Sequence, residues 1–355
     1  MSNFFMRGKL PKLRRTGADA CEDRSHSEQP CRQGSGFVSP EQQKNCEVLE
    51  GVGRMARVLT PGIYLAHKPV GETSFSVVRA FMEELQARPG KRVPVCHGGT
   101  LDPFAEGLLL LLVGQATRLM DLHHAIPKRY VTEVIWGVET DNGDLLGRVV
   151  HQGNASHLTP EALDAALAPF RGWHDQVPPA TSAKKVDGEP AYRKAHRGEE
   201  VVLPPSRVYL HEARWLSHDL PRSSRLELTC RGGFYVRALA RELGRALGCG
   251  AHLSRLHRTA IGPWEDPGTG QRVGLHGREL LPWCATRELS DAELGDLRRE
   301  RPIAQGRLLP PSWRLPAGFP DPEAPVRGFH QGRLAMLLRA SEGQLQALSE
   351  LRGGL

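Results

Sequence analysis

Residues 97–113 read HGGTLDPFAEGLLLLLV, and this stretch guides the interpretation of the rest of the sequence. Two glycines, an aspartate followed by proline and a third glycine are typical of a tight loop between regular elements. Pro103 biases Asp102 towards an extended conformation, because the proline ring restricts the residue before it. The apolar run Leu108–Val113 predicts a short buried segment. The loop therefore presents a carboxylate on a rigid support, although an ordinary Asp-Pro turn has the same composition.

The overall composition is that of a globular protein, with 39% hydrophobic residues, 25% charged residues and a formal net charge of +7 over 355 residues. No apolar run approaches the roughly 20 residues of a membrane-spanning helix, which excludes a membrane protein. The basic N-terminus lacks an apolar segment, so no secretory signal is expected. The seven cysteines contain no C-x-x-C pair, which argues against a zinc ribbon and favours reduced thiols in the cytoplasm.

Strands and helices alternate without regular β-α-β spacing, which predicts an α+β fold with a mostly antiparallel sheet. We expect a helix capped by Ser74, a second opened by Thr159-Pro160, and a third over residues 235–247 that ends at Gly248. The predicted strands are Gly62–Ala66, Arg129–Trp136, Arg207–Leu216 and Arg225–Cys230.

The domain organisation is predicted from changes in composition along the chain. Residues 1–55 show no sustained periodicity and are interpreted as a disordered extension or an over-long start, and residues 56–300 as the main domain. Residues 301–325 hold seven of the 27 prolines and are predicted to be a linker. Residues 326–355 form a possible small β module, with a hairpin predicted from Arg333–Arg339 and Gln344–Leu348.

A second chemical motif, RGGFYVRAL at residues 231–239, marks the passage from a strand into a helix. It places Tyr235 and Arg237 at the start of that helix. An arginine forms two-point pairs with carboxylates, so Arg237 would keep Asp102 ionised and oriented. A solvated charge on the helix surface is the ordinary alternative for Arg237.

A third motif, PKRY at residues 127–130, sets an aromatic ring beside two cations. Such a combination stacks a nucleic-acid base and binds phosphate. The ordinary alternative for Tyr130, taken alone, is a half-buried position in a strand.

Five blocks, taken in order from about residue 62 to 265, resemble the TruB-type tRNA pseudouridine synthases, which isomerise a uridine in the T loop of tRNA. The resemblance implies a pseudouridine synthase fold, with a mixed, largely antiparallel sheet and flanking helices. It also implies, in many members, a C-terminal RNA-binding module of the PUA type, for which residues 326–355 are the candidate. The blocks are YLAHKPVGETS at 64–74, the loop at 97–107, and segments within 128–147, 176–188 and 233–258.

The resemblance also implies roles for individual residues. Asp102 falls on the essential aspartate, Tyr130 on the tyrosine that contacts the target base, and Arg237 on the arginine paired with the aspartate. The expected partner is the T stem-loop of tRNA, the protein is expected to be a monomer, and no metal or cofactor is expected. The positions carried over as substrate-binding are His97, Lys68, Lys185, Tyr235, Leu256 and Arg258.

Several positions depart from the family pattern. His67 stands where an aspartate is usual, and Gly98 and Phe104 replace the commoner threonine and leucine. Thr181 replaces an expected tyrosine, and His196 a frequent arginine. These departures bear on substrate affinity and local packing, while the aspartate, the tyrosine and the arginine are intact.

Isomerising uridine needs a carboxylate near the sugar but no net gain of atoms or electrons, so the reaction requires no P-loop or metal cluster. Three alternatives stay open: an RNA-binding protein that lost catalysis, a synthase with another RNA target, and a glycosidase. The glycosidase needs paired carboxylates, and Glu106 is the only acidic residue near Asp102 in the sequence.

The cations expected to contact phosphate are Lys128, Arg129, Lys184, Lys185, Arg193 and Arg197.

Overall fold

The structure, a computed structural model, describes residues 60–86, 93–182, 184–186 and 188–355. The predicted N-terminal extension, 1–55, lies outside these residues. In the described part of the chain, a ten-stranded sheet and a five-stranded sheet dominate. No helix of these ranges has the length and apolar character needed to cross a bilayer.

The elements of the described ranges follow one another as nineteen strands, five α-helices and three short 3-10 helices. The strands are β1 (Gly62–Lys68), β2 (Val95–His97), β3 (Glu106–Val113), β4 (Lys128–Trp136), β5 (Val138–Thr140), β6 (Val149–Gln152), β7 (Gly172–Gln176), β8 (Lys185–Val186), β9 (Glu189–Pro190), β10 (Ser206–Asp219), β11 (Ser223–Cys230), β12 (Ala251–Ile261), β13 (Trp264–Glu265), β14 (Arg272–Leu275), β15 (Thr286–Glu288), β16 (Ile303–Ala304), β17 (Val326–His330), β18 (Arg333–Ser341) and β19 (Gln344–Glu350). The α-helices are α1 (Ser74–Gln86), α2 (Pro160–Leu167), α3 (Ala191–His196), α4 (Val236–Ala246) and α5 (Asp291–Arg298), and the 3-10 helices are Gly114–His123, Ala168–Phe170 and Gly277–Glu279.

The large sheet has the strand order β14-β1-β3-β12-β4-β11-β10-β7, with β2 paired to β3 and β13 to β12. Only β3 and β12 run parallel, and the other pairings of this sheet are antiparallel. The predicted α+β fold with a mostly antiparallel sheet is therefore confirmed. The four predicted strands correspond to β1, β4, β10 and β11.

Strand β3 explains the apolar run that follows the Asp102 loop. It lies between β1 on one side and β12 and β2 on the other. Leu108, Leu110 and Leu112 belong to one buried cluster, while Leu109 and Leu111 pack in a second cluster with residues of α1. Because both faces of the strand are covered, the sequence shows a continuous apolar run rather than an alternation.

Helix α1 begins where predicted, but its cap is a different residue. The hydroxyl of Thr73 accepts a hydrogen bond from the backbone N–H of Ser76 at 2.9 Å, as an N-cap does. The hydroxyl of Ser74 instead donates to the carbonyl of Leu101 at 3.0 Å and accepts from its N–H at 2.8 Å. The prediction that Ser74 caps the helix is wrong, because this side chain holds the residue before Asp102.

The other two predicted helices are confirmed. Thr159 caps α2 by accepting a hydrogen bond from the N–H of Ala162 at 3.2 Å. Helix α4 ends before Gly248, whose φ of +71° suits a helix C-terminus. Gly244 lets α4 approach β12 closely, since a Cβ there would lie 2.2 Å from the backbone nitrogen of Ala251.

The five-stranded sheet has the order β15-β17-β18-β19-β16. The predicted C-terminal hairpin is present as β18 and β19. Residues 301–325, predicted to be a linker, also contribute β16 to this sheet and a bridge from Leu309 to Thr286. The predicted domain boundaries at residues 300 and 325 stay predictions. The five-stranded sheet contains β15 from before residue 300, β16 from residues 301–325, and β17, β18 and β19 from after residue 325.

Candidate active site

An ion pair between Asp102 and Arg237 forms the centre of the site. Asp102 lies in the loop between β2 and β3, and Arg237 lies in the first turn of α4. The Nε atom of Arg237 is 2.8 Å from Oδ2 of Asp102, and its Nη2 donates to Oδ1 at 2.9 Å. The arginine side chain is 4% exposed and that of the aspartate 29% exposed. The predicted pairing is thus a two-point contact that leaves one side of the carboxylate accessible.

A second carboxylate, Asp144, shares the same guanidinium. Its Oδ2 lies 3.6 Å from Nη1 of Arg237, which also donates to the carbonyl of Asn142 at 2.8 Å and to Oγ1 of Thr181 at 2.7 Å. Asp144 is buried and accepts hydrogen bonds from the amide of Asn142 and the N–H of Leu146. The acidic turn TDNGD at 140–144 is the sequence signal for Asp144, but this pattern alone does not indicate a contact with Arg237.

The pKa of Asp102 is raised above its ordinary value. Burial raises this pKa most strongly, the Arg237 charge lowers it, and the neighbouring Asp144 raises it again. The hydrogen bond from Arg237 and the charge of Lys68 also oppose the rise. The ion pair therefore limits how far burial favours the protonated acid.

Asp102 opens into a cavity of about 210 Å³. The segments RGGFY at 231–235 and GGTLD at 98–102 and the strands β4 and β12 form its wall. The cavity brings together all three predicted catalytic residues and three of the six predicted substrate-binding residues. The lining includes Asp102, Tyr130, Arg237, Tyr235, Leu256 and Arg258, together with Lys128, His124, Ser182 and Phe234.

Tyr130 and Arg258 are direct neighbours on β4 and β12. Burial raises the pKa of Tyr130, and Arg258 partly opposes this, so the phenol stays neutral over a wide pH range. Arg258 is itself buried, and its guanidinium donates to the carbonyls of Leu108 at 2.7 Å and Gly99 at 3.0 Å. Arg258 thus holds the loop that carries Asp102 as well as lining the cavity.

Lys68 has a structural position that the resemblance did not imply. The side chain is fully buried, and its ammonium donates to the carbonyls of Glu72 at 2.6 Å, Pro69 at 2.8 Å and Pro103 at 3.4 Å. Burial lowers its pKa to about 8, although the charge of Asp102 raises it. With its donors directed at backbone carbonyls, Lys68 positions the chain next to Asp102. Its substrate contact, implied by the resemblance, stays a prediction.

His97 and Lys185 are not among the residues that line the cavity. His97 ends β2, its Nδ1 atom is buried without a hydrogen-bond partner in the described residues, and burial lowers its pKa. Lys185 is exposed on the short β8–β9 pair. The structure therefore does not bring these two side chains together with Asp102, and their predicted substrate contacts stay predictions.

Lys128 also differs from expectation. Its ammonium donates to the carbonyls of His123, His124 and Ile126, and the side chain is buried. Burial lowers the pKa of Lys128 to about 7. Since all three N–H donors of the ammonium bind these carbonyls, Lys128 supports the chain segment ahead of β4 instead of making the expected phosphate contact.

Gln176 is a positioning residue whose role the sequence pattern does not indicate. Its side-chain oxygen accepts from the N–H of Tyr235 at 2.8 Å, and its amide donates to the carbonyl of Tyr235 at 3.1 Å. This two-point contact fixes the backbone immediately before α4. Because Arg237 follows two residues later, Gln176 helps to set the direction of the guanidinium.

Gly107 is required by the close approach of β3 to β12. Its φ is +109°, and a Cβ at this position would lie 2.4 Å from the carbonyl oxygen of Arg258. We expect Gly107→Ala to lower the free energy of unfolding by about 3 kcal/mol or more, since backbone strain and a steric clash combine. Urea denaturation measures this loss.

The matched control is Gly172→Ala. Gly172 has a φ of +82°, but a Cβ there would meet nothing within 4 Å. This variant should lose only about 1 kcal/mol, the cost of the left-handed backbone conformation. Equal losses in the two variants would contradict the close approach of Gly107 to Arg258.

Comparison with known proteins gives matches along most of the described chain. Residues 88–236 match the model of the TruB family pseudouridylate synthase N-terminal domain, and residues 237–280 match the tRNA pseudouridylate synthase B C-terminal domain. A tRNA pseudouridine synthase B of Xanthomonas campestris pv. campestris (strain 8004) is 42% identical over 206 residues, 58% of this chain and 65% of that protein. The matched part thus spans about 65% of the length of that relative.

Two further similarities extend this result. A tRNA pseudouridine synthase B of Parasynechococcus marenigrum (strain WH8102) is 44% identical over 256 residues, covering 68% of this chain and 84% of that protein. A chain from the crystal structure of a Cbf5-Nop10-Gar1 complex shares the fold, with a TM-score of 0.55 at 19% identity over 82% of this chain and 84% of that chain. The fold, the family models and these identities together show that the chain belongs to the TruB family of pseudouridylate synthases.

Proposed function

We propose that this protein isomerises uridine to pseudouridine in the T loop of tRNA. The observation that carries the proposal is the carboxylate of Asp102, held by two nitrogen atoms of Arg237 and open to a cavity that Tyr130 also lines. The relatives of Xanthomonas campestris and Parasynechococcus marenigrum are tRNA pseudouridine synthases B, which supports the same reaction and substrate.

The reaction breaks the bond between N1 and C1′, rotates the detached uracil and joins C5 to C1′. The C5 proton leaves, and N1 gains a proton, so atoms and electrons balance without a co-reactant. Asp102 is the group placed to act at the sugar, either by adding to C1′ or by removing a proton. Both courses require the ionised carboxylate, which the Arg237 pair favours.

The cavity suits a single base that has left the helical stack. Extruding a nucleotide costs a few kcal/mol, and stacking on an aromatic ring returns about 1–3 kcal/mol. Tyr130 offers such a ring, and its raised pKa keeps the phenol neutral, so that it acts as a stacking surface or hydrogen-bond donor. Leu256 adds an apolar wall. These features suit a site that retains the uracil while it turns.

The proposed partner is the T stem-loop, bound by a protein that we take to be a cytoplasmic monomer. Among the described cations, Arg231 lines the cavity, and Arg129 is partly exposed beside an exposed Glu265. Side chains of this kind contact phosphate and make affinity depend on salt. Arg193 and Lys185, both members of the predicted set, are exposed.

Nucleoside analysis tests the proposed substrate. Unmodified tRNA is incubated with the protein, digested to nucleosides and separated by chromatography. We expect about one pseudouridine per tRNA, and none when the T-loop uridine is replaced by cytidine. Pseudouridine formation at another position in that substituted tRNA would contradict the T-loop assignment, and tRNA binding with no product would favour the non-catalytic alternative.

A further inference from the structure

A cluster of two histidines and one aspartate lies outside the cavity. The Nδ1 atom of His67 is 2.9 Å from Oδ2 of Asp266, and the Nε2 atom of His257 is 2.8 Å from the same oxygen. The three potential ligand atoms all lie within 4.8 Å of one another. Two imidazoles therefore converge on one carboxylate from different strands.

The sheet topology brings the cluster together. His67 lies on β1 opposite Leu108, and His257 lies on β12 opposite Glu106, so the two histidines flank the first residues of β3. The β12–β13 hairpin then turns back, and the N–H of Asp266 donates to the carbonyl of Thr259 at 2.8 Å. His67 lies 199 positions before Asp266 and His257 lies nine positions before it, so no single sequence motif contains the cluster, and the sequence predicted no metal.

The cluster and the active site occupy opposite faces of the sheet. Lys68 and Arg258, which hold the Asp102 loop, directly follow His67 and His257 in the chain. Successive side chains in a strand point to opposite faces. The ring of His257 occupies the space beside Gly107, where a Cβ would approach its Cδ2 atom to 2.5 Å. The cluster thus packs against the start of β3, the strand that follows the Asp102 loop.

We propose that His67, His257 and Asp266 bind one divalent transition-metal ion, with Zn²⁺ the best fit. Two neutral imidazoles and a carboxylate form a nitrogen-rich set that suits Zn²⁺ and Co²⁺ and disfavours Mg²⁺. Ligands of one Zn²⁺ lie roughly 3–4 Å apart, because each bond is about 2 Å long. Small shifts of the three side chains from the observed spacing reach this geometry.

The surroundings support a site with one open coordination position. The side chains of His67 and Asp266 are 7% and 9% exposed, whereas that of His257 is 37% exposed and leaves an entry path. The N–H of Gly268 donates to Oδ1 of Asp266 at 3.3 Å and orients the carboxylate. Such an orienting contact is typical of metal ligands. The bound ion would join β1 to β12 across β3 and stabilise the fold.

The test uses the full chain, freed of metal with a chelator and then titrated with Co²⁺. We expect a visible absorption band that saturates at one Co²⁺ per chain and is displaced by Zn²⁺, together with a Tm raised by several degrees at saturating Zn²⁺. Thiolate ligands would add an intense near-ultraviolet band, so its absence separates this site from the cysteines. The absence of a visible band would overturn the proposal.

Variants locate the site. His67→Asn keeps an N–H that can donate to Asp266, and His257→Gln removes the second imidazole; each should weaken Co²⁺ binding by about 100-fold or more. The control is His330→Asn, since Nε2 of His330 contacts the carboxylate of the exposed Asp291 at 2.7 Å and, within the described residues, pairs with no other acidic group. Unchanged binding in the first two variants, or equal loss in the control, would overturn the proposal.

Discussion

An Asp102→Asn protein is expected to bind tRNA as tightly as the parent and to form pseudouridine at least about 10⁴-fold more slowly. The amide has nearly the same shape as the carboxylate, but it neither adds to C1′ nor removes a proton. Arg237 keeps its contacts with the carbonyl of Asn142, Oγ1 of Thr181 and the carboxylate of Asp144. The fold and the cavity should therefore persist. Single-turnover rates and a tRNA-binding isotherm measure the two effects separately.

The control for this substitution is Asp219→Asn. Asp219 also pairs with an arginine, Arg222, but both side chains are largely exposed, at 61% and 80%. Exposed pairs contribute little to stability, so rate and Tm should match the parent. Retention of more than about one hundredth of the parent rate by Asp102→Asn would contradict the role of the carboxylate.

An Arg237→Met protein should lose both activity and stability. Removing a charge that stabilises the reacting group costs about 10²–10³-fold in rate. The substitution also leaves Asp102 and the buried Asp144 without their shared cation, so we expect the free energy of unfolding to fall by about 3 kcal/mol. Rate measurements and urea denaturation give the two values.

The pH profile separates the electrostatic role of Arg237 from a purely structural one. Burial already raises the pKa of Asp102, and Arg237 opposes this rise. Without the guanidinium, the pKa rises further, so the acid limb of the rate profile should move to higher pH. Raising the pH should then recover part of the lost rate, because a larger fraction of the carboxyl is ionised.

The free energy of unfolding of Arg237→Met should also depend on pH through the raised pKa of Asp102. A carboxyl whose pKa is raised in the folded state stabilises the fold only at low pH, and this contribution is lost as pH rises through the folded pKa. Adding Asp102→Asn to Arg237→Met should therefore increase stability at neutral pH, since an unpaired charge is removed.

Arg245→Met is the control on the same helix. Arg245 pairs with the buried Glu139 at 2.6 Å, away from Asp102. This variant should lose stability without moving the acid limb. An unshifted acid limb in Arg237→Met, or an equal shift in both variants, would contradict the proposed electrostatic role.

Elements with a strong local pattern could be predicted from the sequence. The alternating residues of β10 and β11 and the Thr159-Pro160 start of α2 were correctly placed, because local propensity and packing agree there. The cap of α1 was not, since a tertiary contact between Ser74 and Leu101 outweighs the local preference for serine at a helix start. Local pattern does not encode such a contact.

The pairing of Asp102 with Arg237 was predicted from chemistry and from the family resemblance, and the structure places the two side chains together. The roles of Lys68, Arg258 and Gln176 could not be foreseen, because each depends on which backbone carbonyl lies within reach after folding. A buried cation in a motif looks the same in sequence whether it binds a substrate or supports a loop. Only the fold distinguishes the two.

Tritium release from tRNA labelled at uridine C5 tests the central claim most directly. Transfer of the glycosidic bond from N1 to C5 must expel the C5 hydrogen, so the parent protein should release about one tritium per tRNA. Asp102→Asn, at the same protein and tRNA concentrations, should release none on that timescale. Tritium release at the parent rate by the variant, or no release by a parent protein that binds the tRNA, would contradict the account.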